Sequence, residues 1–384
     1  MTAITCIADL KRLHKRRVPK MFYDYCESGS YTEQTFRDNV SDFSQIRLRQ
    51  KVAVDMSNRS TAGTMIGQSV TMPVALAPVG FTGMQSADGE IKAARAAEKF
   101  GVPFTLSTMS ICSIEDVAEH TTAPFWFQLY VMQDHDFVDR LIQRAQAARC
   151  SALVLTLDLQ ILGQRHKDLK NGLSAPPRLT LPNILDMCRR PRWAMGMLGT
   201  KRHTFRNLVG HVESVSDMKS LAAWTNEQFD PRLSWDDVKW VKEKWGGKLI
   251  LKGIQDVEDA RLAVKSGADA LIVSNHGGRQ LDGAQSSIEA LPTIVDAVGG
   301  QIEIHMDGGI RSGQDVLKAR ALGARGVYIG RPMLYGLGAM GEEGVSKCLQ
   351  ILHKELDITM AFCGHTNIET VDKSILLPGT YPTA

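Results

Sequence analysis

Eight short apolar runs, spaced along most of the chain, limit its fold more than any other feature. They lie at residues 73–78, 103–107, 125–131, 152–158, 248–252, 268–274, 301–307 and 324–330. All but 301–307 (QIEIHMD) are largely continuous in apolar residues rather than alternating, which predicts strands covered on both faces. Stretches with helical periodicity fall between most of them, at 89–100, 113–120, 137–148, 257–265 and 312–322. Repeated strand–helix units with doubly covered strands call for a parallel α/β sheet. Eight such units over about 250 residues predict a closed (β/α)₈ (TIM) barrel rather than an open sheet.

The remainder of the 384 residues hangs on that barrel as one domain. Residues 1–70 read as a helical extension packed onto it. A long insertion, 159–245, separates the fourth and fifth strands and closes with a helix at 234–245. Seven cysteines without a C-x-x-C pair speak against a disulfide framework and a zinc site, so no metal is expected. No run reaches the eighteen or so apolar residues of a spanning helix, and the N-terminus lacks the apolar core of a signal peptide. The expected compartment is the cytoplasm.

The net charge of +3 is unevenly distributed. Residues 165–206 carry ten Lys or Arg against two Asp, leaving the rest of the chain with 35 basic and 40 acidic residues. The basicity belongs to one segment, and no nucleic-acid recognition fold accompanies it. Nucleic acid is therefore not an expected partner.

Barrels of this kind collect function at the C-terminal ends of their strands. Polar residues gather there: Gln128 and Tyr130, Asp158 with Arg165 beyond it, Lys252, His276 with Arg279, and Asp307 with Arg311. The densest group is SNHGGRQLDG at 274–283, where a titratable imidazole and a permanent cation leave one strand through two glycines. A second group is Asp307-Gly308-Gly309-Ile310-Arg311 after the seventh strand, with Gly330-Arg331-Pro332 after the eighth. Adjacent glycines expose N–H groups, the following helix adds partial positive charge, and Arg331 can grip an anion with two nitrogens. These loops predict a phosphate site, which a flavin, a nucleotide or a sugar could fill.

Taken in order, PKMFYDY (19–25), ALAPVG, TLSTMS, FQLYV, LTLD, LKG, SNHGGRQLDG, DGGIRSG and GRPMLYGLGAMGEEGV (330–345) resemble the FMN-dependent 2-hydroxy-acid oxidising family. The likeness is strongest to its bacterial lactate and mandelate dehydrogenase branch. It implies FMN as cofactor and oxidation of an L-2-hydroxy acid to the 2-keto acid. Residue by residue it implies His276 as active-site base with Asp158 as its carboxylate partner, and Arg165 and Arg279 as the cations on the substrate carboxylate. It implies Tyr25 at that carboxylate, Tyr130 near the substrate hydroxyl, and Lys252 beside the flavin ring. Pro78, Val79 and Gly80 would line the ring, with Ser107, Gln128 and Thr156 as polar contacts and Ser274 in support. Asp307, Gly308, Gly309, Arg311, Gly330 and Arg331 would cradle the ribityl chain and phosphate. Met109 replaces a tryptophan of plant glycolate oxidases beside the substrate.

Gly80, where many oxidases have alanine, tilts the expected electron acceptor toward a quinone or cytochrome. The alternatives are an oxidase that passes electrons to O₂ and releases hydrogen peroxide, an FMN-barrel isomerase, and a membrane-associated flavin or hydroxy-acid binding protein. The resemblance also implies a homo-oligomer, commonly a tetramer. Finally, residues 189–209 interleave Arg and Lys with Trp193, Met195, Met197, Leu198 and Phe205. Either these charges are a solvated lid, or the segment is an amphipathic patch for an anionic membrane surface. The second reading, which the mandelate dehydrogenase likeness favours, places the protein on the inner face of the cell membrane.

Overall fold

Parallel pairing runs through all eight apolar segments in a computed structural model of the chain, which describes residues 3–173, 180–209 and 229–383. Parts of the basic insertion, 174–179 and 210–228, lie outside the described residues. Two strands absent from the expectation come first, β1 (Gly63–Met65) and β2 (Gln68–Val70). The barrel strands follow as β3 (Val74–Leu76), β4 (Thr105–Ser107), β5 (Trp126–Leu129), β6 (Ala152–Thr156), β7 (Lys248–Ile254), β8 (Ala270–Val273), β9 (Glu303–Asp307) and β10 (Gly326–Ile329). Neighbours run in the order β3-β10-β9-β8-β7-β6-β5-β4. A single bridge between Leu76 and Phe104 joins the two ends, so the barrel closes. Helices Gly89–Phe100, Ile114–His120, His135–Ala147, Val257–Lys265 and Gly313–Ala321 stand where the helical periodicity put them.

Strand residues alternate between two cores. One face of each strand packs outward under the helices. The other fills the barrel, where Ala75, Trp126, Val154, Ile250, Ile272 and Tyr328 are fully or almost fully buried. The expected helical extension is helical only to Gln45. Beyond it, β1 and β2 form an antiparallel hairpin that seals the floor of the barrel. Met65 enters the interior and is fully buried. Room for it comes from Gly326, whose missing Cβ would stand 2.8 Å from the Met65 sulfur. The Ile66 N–H donates to Glu303 at 2.8 Å and Trp126 Nε1 to Gln68 at 3.1 Å, so the hairpin's polar groups are satisfied there.

At the opposite end, the helix Lys20–Cys26 and the turn after it bring Tyr25 and Ser28 over the mouth. The insertion contributes the short helices His166–Lys170, Leu181–Cys188 and Pro191–Gly199, and the helix Trp235–Trp245 returns the chain to β7. Trp193 does not belong to an outward apolar patch. Its indole donates to the Met84 carbonyl at 2.8 Å and packs on Phe22. Met197 and Phe205 are buried as well. Among the described insertion residues the exposed large apolar side chains are Ile161, Leu162, Leu169, Leu181, Ile184, Leu185, Met195 and Leu198.

Candidate active site

A cavity of about 600 Å³ opens at the C-terminal ends of the barrel strands. Tyr25, Pro78, Val79, Gly80, Ser107, Met109, Tyr130, Arg165, Lys252, His276 and Arg279 line it, as do Asp307, Gly308, Gly309, Arg311, Gly330 and Arg331. Seventeen of the residues singled out from sequence thus meet in one place. The other four, Gln128, Thr156, Asp158 and Ser274, stand behind them. Ser107 Oγ donates to Gln128 at 3.2 Å, and Gln128 Nε2 donates to Thr156 Oγ1 at 3.0 Å, fixing the amide's orientation. Ser274 Oγ accepts from Lys252 Nζ at 2.9 Å and from the His276 N–H at 3.1 Å.

His276 occupies an unusual piece of backbone. It has φ +58, followed by Gly277 at +65 and Gly278 at +73, and a left-handed histidine is uncommon. The glycines have packing reasons too. A Cβ on Gly277 would stand 2.7 Å from Arg331 Nη1, and one on Gly278 would overlap the backbone of Phe36. This turn aims the imidazole into the cavity with Nδ1 2.9 Å from Asp158 Oδ1. Held that way, Nδ1–H donates and Nε2 is left as the proton acceptor. Asp158 in turn fits because residue 253 is glycine: a Cβ there would be 2.7 Å from that of Asp158. Burial pushes the imidazole below its ordinary pKa, with the charges of Lys252 and Arg279 assisting and Asp158 opposing. Burial also disfavours ionised Asp158, but the charges of His276 and Lys252 outweigh it, and the carboxyl titrates below its ordinary value.

Lys252 is buried 3.1 Å from Asp307. Burial disfavours its charge, yet the pull of Asp307 and Asp158 wins and holds the ammonium above its ordinary pKa. It is a fixed cation at one edge of the cavity. Arg279 donates Nη1 to the Tyr25 carbonyl at 2.6 Å, and its guanidinium lies 4.5 Å from the Tyr25 ring centroid. Arg331 is anchored through Nε to the Cys26 carbonyl at 2.8 Å and through Nη2 to Ser28 and Gly277 carbonyls. Burial, with Arg311 and Arg279 nearby, lowers it to about 10. Its helix, Arg331–Met340, starts at Gly330 with open N–H groups facing the same end.

Residues 14–378 match the family of FMN-dependent dehydrogenases. The chain belongs to that family. This FMN-dependent dehydrogenase is 43% identical over 375 residues to an L-lactate dehydrogenase of Caulobacter sp. (strain K31), covering 97% of this chain and 98% of that one. It is 44% identical over 376 residues to an L-lactate dehydrogenase of Haemophilus influenzae (strain PittEE), covering 97% and 98%. Its fold is similar to a solved structure of the monotopic membrane protein (S)-mandelate dehydrogenase, with TM-score 0.93, 36% identity and coverage of 98% and 100%. A mandelate oxidase variant solved with (S)-mandelic acid gives TM-score 0.82 at 34% identity, covering 98% of each chain.

The cavity fits the family's cofactor on its own terms. Asp307 Oδ1 is buried without a hydrogen-bond partner in the protein, as a ribityl hydroxyl acceptor would be. Gly308 (φ +93) and Gly309 (φ +84) hold a backbone that no side chain could follow, since a Cβ on Gly309 would overlap the Asn39 carbonyl. Residues that would hold FMN are therefore Asp307, Gly308, Gly309, Arg311, Gly330 and Arg331 at the chain and phosphate. Lys252, Ser107 and the 78–80 backbone would hold it at the ring.

Three residues escaped the sequence reading. Gly253 carries a signal, as a lone glycine inside a strand marks a close approach. Asp168, buried and 2.6 Å from Arg165 Nε, is signalled only by i,i+3 spacing. Ser28 has one local partner, the Tyr25 carbonyl at 3.1 Å, but the partners that matter here lie at positions 168, 279 and 331.

Proposed function

We propose that this dehydrogenase oxidises an L-2-hydroxy acid, lactate- or mandelate-like, to the 2-keto acid and passes the electrons to a membrane quinone or a cytochrome. The observation that carries the reading is the facing pair in one cavity: an imidazole backed by a carboxylate, and two guanidiniums open to the same space. Arg165 and Arg279 bind the substrate carboxylate, with the Tyr25 ring centroid 4.5 Å from the Arg279 guanidinium carbon. Tyr130 is nine-tenths buried against Phe229, and burial raises its pKa, so it stays a phenol able to donate to the substrate hydroxyl. His276 Nε2 takes a proton from the substrate, and ionised Asp158 stabilises the resulting imidazolium. FMN, when bound, supplies the acceptor for the two electrons. Lys252 then stands as the cation that balances added negative charge at the ring edge. The Met109, Phe205, Phe229 and Leu159 side chains keep water from the reacting centre.

The acceptor reading draws on the insertion. Leu162 and Leu169 both line the cavity and are substantially exposed. Leu181, Ile184, Leu185, Met195 and Leu198 are exposed on two insertion helices, with Arg189, Arg190 and Arg192 between those helices' apolar residues. An amphipathic surface of this composition attaches to anionic bilayers from one side. No helix among the described residues is long and apolar enough to cross a membrane.

Anaerobic mixing of the FMN-loaded enzyme with the L and D forms of lactate and mandelate tests the reaction. Bleaching of the flavin by an L acid is expected. An enzyme whose flavin stays oxidised with all four acids would sink the reading, and stoichiometric hydrogen peroxide in air would replace the quinone by O₂.

A further inference from the structure

Two guanidiniums in one buried cavity repel each other, so something must hold them at the spacing a carboxylate needs. Their side chains are only 20% and 14% exposed, which leaves little solvent to screen the repulsion. Asp168 stands between them. Its Oδ2 accepts from Arg165 Nε at 2.6 Å and lies 3.9 Å from Arg279 Nη2. Its Oδ1 lies 3.1 Å from Ser28 Oγ, whose hydroxyl hydrogen it shares with the Tyr25 carbonyl at the same distance. Ser28 is fully buried, and its hydroxyl and carbonyl oxygens accept from Arg279 Nη1 at 3.0 and 3.2 Å. One edge of each guanidinium is thus tied down and the rest is left for the cavity. The charges balance as well: two cations and one fixed carboxylate leave a single positive charge, matched by one monocarboxylate.

We infer that Asp168 and Ser28 are positioning residues for substrate-carboxylate recognition, a unit that sets the spacing and aim of Arg165 and Arg279. This deepens the hydroxy-acid reading above and rests on it. Ser28 also joins the clamp to the cofactor side, because its carbonyl accepts from Arg331 Nη2 at 3.0 Å. Neither residue approaches His276 through any of these contacts, so the proton-transfer step is not theirs.

The test uses the FMN-loaded enzyme, Asp168→Asn and Ser28→Ala, with L-lactate, L-mandelate and their methyl esters, which lack the carboxylate charge. The quantity read is the second-order constant for anaerobic flavin reduction, acid over ester. Hydrogen bonds to charged groups of this kind carry about a tenfold effect or more, so Asp168→Asn should lower that ratio about tenfold. Ser28→Ala should lower it in the same direction by less, because the Ser28 carbonyl remains. In both, the loss should sit in the half-saturation concentration for the acid, with the pH profile of the limiting rate unmoved. Acid and ester falling together would mean general loosening and would overturn the assignment, as would an unchanged ratio. If Asp168→Asn fails to retain flavin, Ser28→Ala decides alone. A wild-type enzyme reduced by neither acid would instead refute the hydroxy-acid reading itself.

Discussion

Replacing Asp158 by Asn separates the charge of the histidine's partner from its shape. Asn keeps the volume, and its oxygen can still accept from His276 Nδ1, now 2.9 Å from Asp158 Oδ1. Asp158 Oδ2 has no hydrogen-bond partner in the protein, so placing an amide nitrogen there breaks no contact. The Asp158 carbonyl still holds Gln280 at 2.8 Å, which keeps the loop in place. The negative charge is lost, and an amide NH₂ with no acceptor in the protein stands where Oδ2 was. A hydrogen bond to a charged group contributes about 1.5–3 kcal/mol, and this pair is poorly exposed on both sides. At about 1.4 kcal/mol per decade, flavin reduction by substrate should slow by roughly ten- to a hundredfold. The sign of the pH effect follows from the same contacts. Burial, Lys252 and Arg279 all press the imidazole below its ordinary pKa, and Asp158 alone pulls it up. In the native enzyme the base form therefore persists below the ordinary histidine range, and the rate falls only as pH drops through that lowered value. Removing Asp158's charge moves this acid limb further down while reducing the plateau. Anaerobic stopped-flow across pH, normalised to bound flavin, measures both. A plateau within twofold of wild type, or an acid limb that moves up, would refute the role of Asp158 as the stabiliser of a charged His276.

Three other perturbations probe the floor, the cradle and the surface. Met65→Ala empties a fully buried site inside the barrel and should cost about 2–5 kcal/mol in denaturant unfolding, with the flavin site unaltered. Gly309→Ala puts a Cβ onto the Asn39 carbonyl at φ +84, so the purified protein should carry less than about a fifth of the wild-type flavin, a deficit read by absorbance after desalting. Leu181→Asp combined with Leu185→Asp and Leu198→Asp changes residues that are 70%, 50% and 86% exposed, so folding should hold while co-sedimentation with anionic phosphatidylglycerol vesicles is lost. Binding that survives in that triple variant at moderate salt would remove the insertion helices from the proposed membrane surface.

What could be read from residues alone follows a physical divide. Parallel strands covered on both faces leave a nearly uninterrupted apolar run, so most barrel strands announced themselves (β9, where Glu303 and His305 alternate with Ile304 and Met306, is the exception), and their tips carried the polar residues to one end. The hairpin of β1 and β2 did not, because each strand has three residues and its burial comes from a barrel floor that exists only once the other strands have closed. The insertion shows the same limit from the other side. Trp193 and Leu198 are five positions apart in one basic, apolar stretch, and composition treats them alike. Docking separates them: the indole has a carbonyl to reach at Met84, whereas Leu198 has no packing surface and remains 86% exposed. The clamp is the clearest case. Arg165 and Arg279 could be proposed from a family pattern, yet the residues that space them, Asp168 and Ser28, are tied to each other across 140 positions of sequence. Chemistry-bearing groups keep recognisable local surroundings because backbone shape near them is constrained. Groups that merely aim those side chains need only arrive at the right place, and any stretch of chain that arrives there will serve. Discrimination between substrate side chains is therefore to be sought in such arrivals as well, in Phe205 and Phe229 from the insertion, which share the cavity wall with the strand-tip residue Met109.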